Sequence, residues 1–195
     1  RPLIVAGSTG PGEEALLDTA CRRAFPAGVQ LLCAPRKPER FDEAAAVFPG
    51  CARRSTRPDH QAPASPANGR FILDTIGELR KAYALADVIV VGRSFGRLYG
   101  SDPMEPAALG KAIVIGPAVD DFQRTVDAML KAEAIVQCEG GELAGVLADL
   151  LADDTRRRTL GVRALRCVHA HQGASRRHAD LLVTLLTPPA DSHDT

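Results

Sequence analysis

Short apolar runs rich in β-branched residues alternate along this chain with longer stretches whose apolar residues recur every three or four positions, and few folds accept that alternation. The runs at residues 3–6, 29–34, 70–73, 87–91, 112–115 and 134–137 read as strands. Residues 13–25, 40–48, 76–85, 103–109 and 122–131 read as the intervening helices, and 142–151, 155–169 and 174–186 as three more with no strand after them. Strands separated by helices need crossover connections, which make the strands parallel and put helices on both faces of the sheet. The pattern predicts a doubly wound, Rossmann-like α/β fold with a six-stranded parallel sheet.

A length of 195 residues, 45% of them hydrophobic, is enough for one substantial core. We assign residues 1–187 to that domain and 188–195, polar and proline-rich, to a flexible tail. Lys+Arg and Asp+Glu balance at 24 each, so no overall field draws the chain to nucleic acid or to an anionic membrane surface. Five cysteines without a C-x-x-C pair fit a reducing cytoplasm better than a disulfide framework. No apolar run approaches the roughly 20 residues needed to cross a bilayer. The chain opens at Arg1 and enters a strand almost at once, which predicts a domain cut from a longer protein. Residues 55–68 hold three prolines and no periodicity, and read as a surface loop.

In open parallel sheets, ligands bind beyond the carboxyl ends of the strands. Attention therefore falls on the loops at 7–12, 35–39, 74–78, 92–105 and 116–121. The first, Gly7-Ser8-Thr9-Gly10-Pro11-Gly12, fits neither the dinucleotide G-x-G-x-x-G spacing nor a P-loop. It is open to either an anion site or a plain glycine-rich turn. The second, Pro35-Arg36-Lys37-Pro38-Glu39-Arg40, reads either as a phosphate or carboxylate clamp or as a solvated basic loop. In the fourth, Asp102 is placed as an N-cap with Pro103 at the first helical position. Glu105 is then equally suited to accept hydrogen bonds from two ribose hydroxyls or to complete a capping box with Asp102.

These loops resemble the C-terminal domain of the 3-deoxy-D-manno-octulosonic acid (Kdo) transferases. Asp102-Pro103-Met104-Glu105-Pro106-Ala107-Ala108-Leu109-Gly110 followed by Lys111-Ala112-Ile113-Val114-Ile115-Gly116-Pro117 is similar to the family's Asn/Asp-Pro-Leu/Met-Glu-Pro-Ala-Ala-Leu-Gly and Lys-Pro-Val-x-x-Gly-Pro. Gly7-Ser8-Thr9 with Gly12-Glu13-Glu14, Pro35-Arg36-Lys37-Pro38-Glu39-Arg40-Phe41, Asp74-Thr75-Ile76-Gly77-Glu78-Leu79 and Tyr83-Ala84-Leu85-Ala86-Asp87 resemble further family motifs in the same order.

The resemblance implies the C-terminal half of a GT-B glycosyltransferase, with CMP-Kdo as donor, a lipid A precursor as acceptor, inversion at the sugar carbon, and no metal or other cofactor. It implies that the acceptor site and the catalytic carboxylate lie in an N-terminal domain absent from this chain, which then contains no catalytic residue and is inactive alone. Contact with the membrane, at the cytoplasmic face of the inner membrane, would come only through the full-length protein. It assigns Arg36 to the donor phosphate, the turn formed by Asp74, Thr75, Ile76 and Gly77 to the cytosine, and Glu105 to the ribose hydroxyls. Ser94 and the amides around Gly92 and Gly100 would line the phosphate, with Ser8, Lys37, Arg93 and Asp102 nearby.

The departures cluster at the same place: Gly10 and Lys37 stand where the family has His, Arg93 where it has Gly, Ile76 where it has Met, and Ser101-Asp102 where it has His-Asn. Asp102 adds an anion beside a phosphate site, which costs binding unless a cation such as Arg93 or Lys37 offsets it. The alternatives are a repurposed, non-catalytic nucleotide-binding domain and a GT-B transferase using another nucleotide sugar, such as a UDP-linked one. Cys167, His171 and His178 share a helix face by spacing, but Gly173 interrupts the helix and no acidic ligand accompanies them, which favours a core cysteine and solvated histidines over a metal. Arg53, Arg54 and Arg57 read as a solvated edge.

Overall fold

The computed structural model describes residues 1–56, 66–172 and 174–186. Seven strands form one sheet: β1 (Leu3–Thr9), β2 (Gln30–Pro35), β3 (Ala52–Arg53), β4 (Arg70–Ile72), β5 (Val88–Val91), β6 (Ala112–Ile115) and β7 (Val136–Gln137). Their order is β3-β4-β2-β1-β5-β6-β7 and every pairing is parallel. All four residues of β5 and of β6 are buried, because helices cover both faces of a parallel sheet and leave no face for alternation.

The helices are α1 (Glu13–Ala24), α2 (Phe41–Ala46), α3 (Leu79–Leu85), α4 (Met104–Ala107), α5 (Gln123–Lys131), α6 (Leu143–Ala152), α7 (Asp154–His171) and α8 (Ala174–Leu186). Leu17 of α1 and Leu143, Leu147 and Leu150 of α6 are fully buried in one core cluster. Met129 of α5 and Ala164 of α7 pack with Ile113 and Ile115, and Ala82 and Tyr83 of α3 with Val5 and Ile89. Among the described residues, no helix is long and apolar enough to cross a membrane.

The doubly wound parallel architecture stands as the alternation requires, with seven strands rather than six. The additional strand, β3, is two residues long and carries a charge, so no apolar run announces it. The strand expected at 134–137 narrows to Val136–Gln137, with Ala134 and Ile135 buried on its approach. The helix expected from 76 begins at Leu79, because residues 74–78 form a separate turn. Helix α4 is capped at Pro103, one residue later than expected, since Pro103 itself has helical angles.

Chain order reverses at β1, which pairs with β2 on one side and β5 on the other. The loops leaving β1 and β5 therefore wind to opposite faces and open a crevice between them, the position where such sheets bind ligands. At the far end of the chain, Leu181, Leu182, Leu185 and Leu186 of α8 are each more than half exposed. The tail assigned to 188–195 lies outside the described residues.

Candidate functional site

One carboxylate, at the first residue of α1, ties the crevice together. Glu13, 3% exposed, accepts four backbone N–H groups: Gly10 (2.8 Å) and Arg93 (2.6 Å) on Oε2, Ser94 (2.8 Å) and Phe95 (3.0 Å) on Oε1. The first donor belongs to the loop after β1 and the other three to the loop after β5. The two loops also meet main chain to main chain at Gly92, whose N–H donates to Gly7 O. A Cβ there would lie 2.7 Å from Ser8 O and Thr9 Cα, so no larger residue fits.

Glu14, beside it, faces the loop after β2. Its carboxylate accepts two hydrogen bonds from Arg40 (Nη1 at 3.1 Å, Nη2 at 3.0 Å) and one from the Thr9 hydroxyl (2.6 Å). Arg40 also holds Glu43 (2.9 Å) and donates to Thr9 O (3.2 Å). Burial opposes its charge, but the hydrogen bonds and charges of Glu14 and Glu43 outweigh that and raise its pKa above the ordinary arginine value. Arg40 is thus a strut, and Arg36 and Lys37 are left exposed at the loop's tip.

The turn after β4 is fastened from the side. Asp74, 6% exposed, accepts Arg53 Nε (2.7 Å), Ser55 N–H (2.8 Å) and the Ser55 hydroxyl (2.5 Å). Burial pushes the Asp74 carboxyl up, but the two bonds from Ser55 and that from Arg53 prevail and hold it below its ordinary value. Arg54 pairs with Glu78, which also accepts the Thr75 hydroxyl at 2.6 Å. Arg53 and Arg54 are therefore clamps rather than the solvated edge their charge implied. Arg57 lies outside the described residues.

Two cavities adjoin at Arg36. One, of about 740 Å³, is lined by Thr9, Gly10, Pro11, Arg36, Lys37, Glu39, Arg40, Arg93, Leu98 and Tyr99. The other, of about 140 Å³, is lined mostly by apolar groups: Ser8, Ala34, Pro35, Arg36, Phe41, Leu73, Thr75, Ile76, Gly77 and Leu79. Among the described residues, the Arg36 side chain has no ion-pair partner, and Lys37 has only an exposed contact to Glu39 at 3.7 Å. Ile76 is 76% exposed at the mouth of the smaller cavity. The arrangement suits a ligand with a flat, partly apolar end and an anionic end.

Similarity to known proteins runs along nearly the whole chain. No protein-family model matches. A 3-deoxy-D-manno-octulosonic acid transferase from Bordetella pertussis is 35% identical over 192 residues, 93% of this chain and 44% of that protein. Another from Haemophilus influenzae is 28% identical over the same shares. Among solved structures, the C-terminal CMP-Kdo binding domain of WaaA from Acinetobacter baumannii superposes with a TM-score of 0.76 at 27% identity, covering 86% of this chain and 89% of that one. The chain is thus similar, along nearly its whole length, to the C-terminal part of the Kdo transferases. It spans less than half the length of the curated relatives it matches. Acinetobacter baumannii MurG shares the fold (TM-score 0.61, 22% identity), half of it covered by this chain.

Several groups expected to face a ligand are engaged inside the fold. Ser94 does not present its hydroxyl to a ligand: Oγ donates to Val91 O (2.6 Å) and accepts Gly116 N–H (2.8 Å). The amides expected to hold a phosphate are also taken, Ser94 N–H by Glu13, Gly92 N–H by Gly7 O and Gly100 N–H by Arg93 O. One of these donors goes to an internal carboxylate and two to main-chain carbonyls, which leaves the side-chain cations Arg36 and Lys37 facing the larger cavity. Asp74 likewise gives its carboxylate to Arg53 and Ser55, leaving Thr75, Ile76 and Gly77 to face the small cavity.

The family departures have local partners. A Cβ at Gly10 would lie 2.3 Å from Leu98 Cδ1, so Leu98 fills the space a side chain at position 10 would need. Arg93 has a left-handed φ of 58° and donates from Nη2 to Leu98 O. Asp102 is exposed, and its Oδ1 accepts Met104 N–H at 2.8 Å. Burial first, and then the charges of Glu105 and Asp102, raise the pKa of the Tyr83 hydroxyl. Those two carboxylates therefore lie within electrostatic reach of Tyr83, whose Oη sits 1.8 Å from where a Cβ on Gly7 would fall. Ser101 Oγ is buried with no hydrogen-bond partner among the described residues. Cys167 is half-buried against the core, and the His171 side chain lies outside the described residues.

Proposed function

We propose that this chain is the donor-binding half of a Kdo transferase and holds CMP-Kdo at the crevice beside β1 and β5. The small cavity takes the cytosine against Ile76, Gly77 and Leu73. The larger, cationic cavity takes the phosphate and the sugar carboxylate on Arg36, Lys37 and Arg93. Glu105 takes the ribose hydroxyls, with Ser8 at the rim of the base pocket. The observation that carries this reading is Arg36, whose planar fork suits phosphate or carboxylate and which, among the described residues, has no ion-pair partner where the two cavities meet.

Binding here is by fixed positive charge and shape, with no metal required. The lipid A precursor and the carboxylate that activates it belong to the part of the relatives' length that this chain does not span. The exposed apolar residues of α8 are where that remaining part packs, and transfer occurs at the cytoplasmic face of the inner membrane. Titrating the isotope-labelled chain with CMP tests the assignment by nuclear magnetic resonance. Shifts should concentrate at Ser8, Arg36, Ile76 and Gly77. Shifts confined to α5 and α7, on the opposite side of β6, would overturn it.

A further inference from the structure

We propose that Glu13 is a positioning residue for the donor site, an internal anion that occupies the main-chain nest between two ligand-edge loops and thereby aims Arg93 into the cationic cavity. The inference rests on the reading of that cavity as the donor site.

Four backbone N–H groups converging within 2.6–3.0 Å on two carboxylate oxygens form an anion-binding nest. An empty nest of this kind at a switch point would receive a ligand phosphate. Here the chain supplies the anion itself, from a side chain that is almost entirely buried. The consequence falls on Arg93. Its φ of 58° is unfavourable for a residue with a Cβ. The conformation persists because Arg93 N–H is held by Glu13 and Arg93 O by Gly100 N–H. With the backbone so fixed, the guanidinium reaches Leu98 O and lines the cavity with Arg36 and Lys37.

Glu13 is not among the residues that line either cavity, and its carboxylate oxygens are taken by backbone N–H groups. Its influence on the donor runs through Arg93. A purely structural Glu13 would change stability alone. A positioning Glu13 would change anion affinity through the same free energy that Arg93 contributes.

Glu13→Gln keeps the shape but presents an N–H₂ to two of the four donors. Calorimetry with CMP on wild type, Glu13→Gln, Arg93→Ala and the double variant separates the two roles. Each single variant should bind CMP roughly tenfold more weakly, the scale of one charge-assisted contact. The double variant should be no weaker than the weaker single. Multiplying effects, or unchanged affinity in a folded Glu13→Gln, would overturn the proposal. Amide hydrogen exchange on wild type gives a second test that needs no variant. Arg93, Ser94 and Phe95 N–H should exchange as slowly without CMP as with it. Fast exchange that slows only on adding CMP would show a nest waiting for ligand, and would overturn the proposal while upholding the donor site. Absence of CMP binding to the wild type would instead overturn the donor reading itself.

Discussion

Arg53 Nε lies 2.7 Å from Asp74 Oδ2, and through that contact a short edge strand fixes the turn that faces the smaller cavity. Asp74→Asn removes the charge but keeps the shape. It should cost about 1.5–3 kcal/mol, the range for hydrogen bonds to a charged group, and should weaken CMP binding as residues 75–77 loosen. The pH dependence has a definite sign. Asp74 has a folded pKa below its ordinary 3.8, so its contribution is fully present above that value and lost as pH falls through the folded one. Denaturant melts should show the gap between wild type and Asp74→Asn constant above about pH 5 and closing in stronger acid. A gap that widens in acid would contradict the clamp.

Arg40 and Glu14 make the buried pair that joins α1 to the loop after β2. Arg40→Met leaves Glu14 buried with only the Thr9 hydroxyl beside it, which should destabilise the fold by about 3–5 kcal/mol. Equilibrium denaturation should show a lower midpoint at unchanged slope. A loss below about 1 kcal/mol would mean that water reaches Glu14 and replaces Arg40.

The architecture was legible because a parallel sheet covered on both faces leaves continuous apolar runs such as Val88–Val91. The exposed position of Arg36 was legible for a related reason: it directly follows a strand, where the chain leaves the sheet. What remained hidden was contact at long sequence separation. Nothing local distinguishes Glu13, bound to amides eighty residues away, from an ordinary acidic residue in a first helical turn. Arg53 and Arg54 looked solvated because Asp74 and Glu78 are about twenty residues downstream. Ser94 and Gly92 were legible as residues at a strand end, but which of their hydrogen-bonding groups the fold itself consumes is decided by β1 and β6.

Asp102 is the anion least expected near a phosphate, and its Oδ1 is engaged by Met104 N–H. Asp102→Asn retains that acceptor and removes the charge. The melting temperature should stay within a degree or two, while CMP affinity rises and the gain shrinks as salt is added. Weaker binding with unchanged stability would make the carboxylate a ligand contact in its own right.

We propose that this domain recognises a cytidine nucleotide through Arg36, at the junction of the two cavities, and through Glu105. Calorimetry comparing CMP with UMP on wild type, Arg36→Ala and Glu105→Ala tests it most directly. Wild type should prefer CMP, and each variant should lose about 1.5–3 kcal/mol of CMP binding, as for a charge-assisted contact. Equal affinity for CMP and UMP, or CMP binding that survives both substitutions undiminished, would contradict the account.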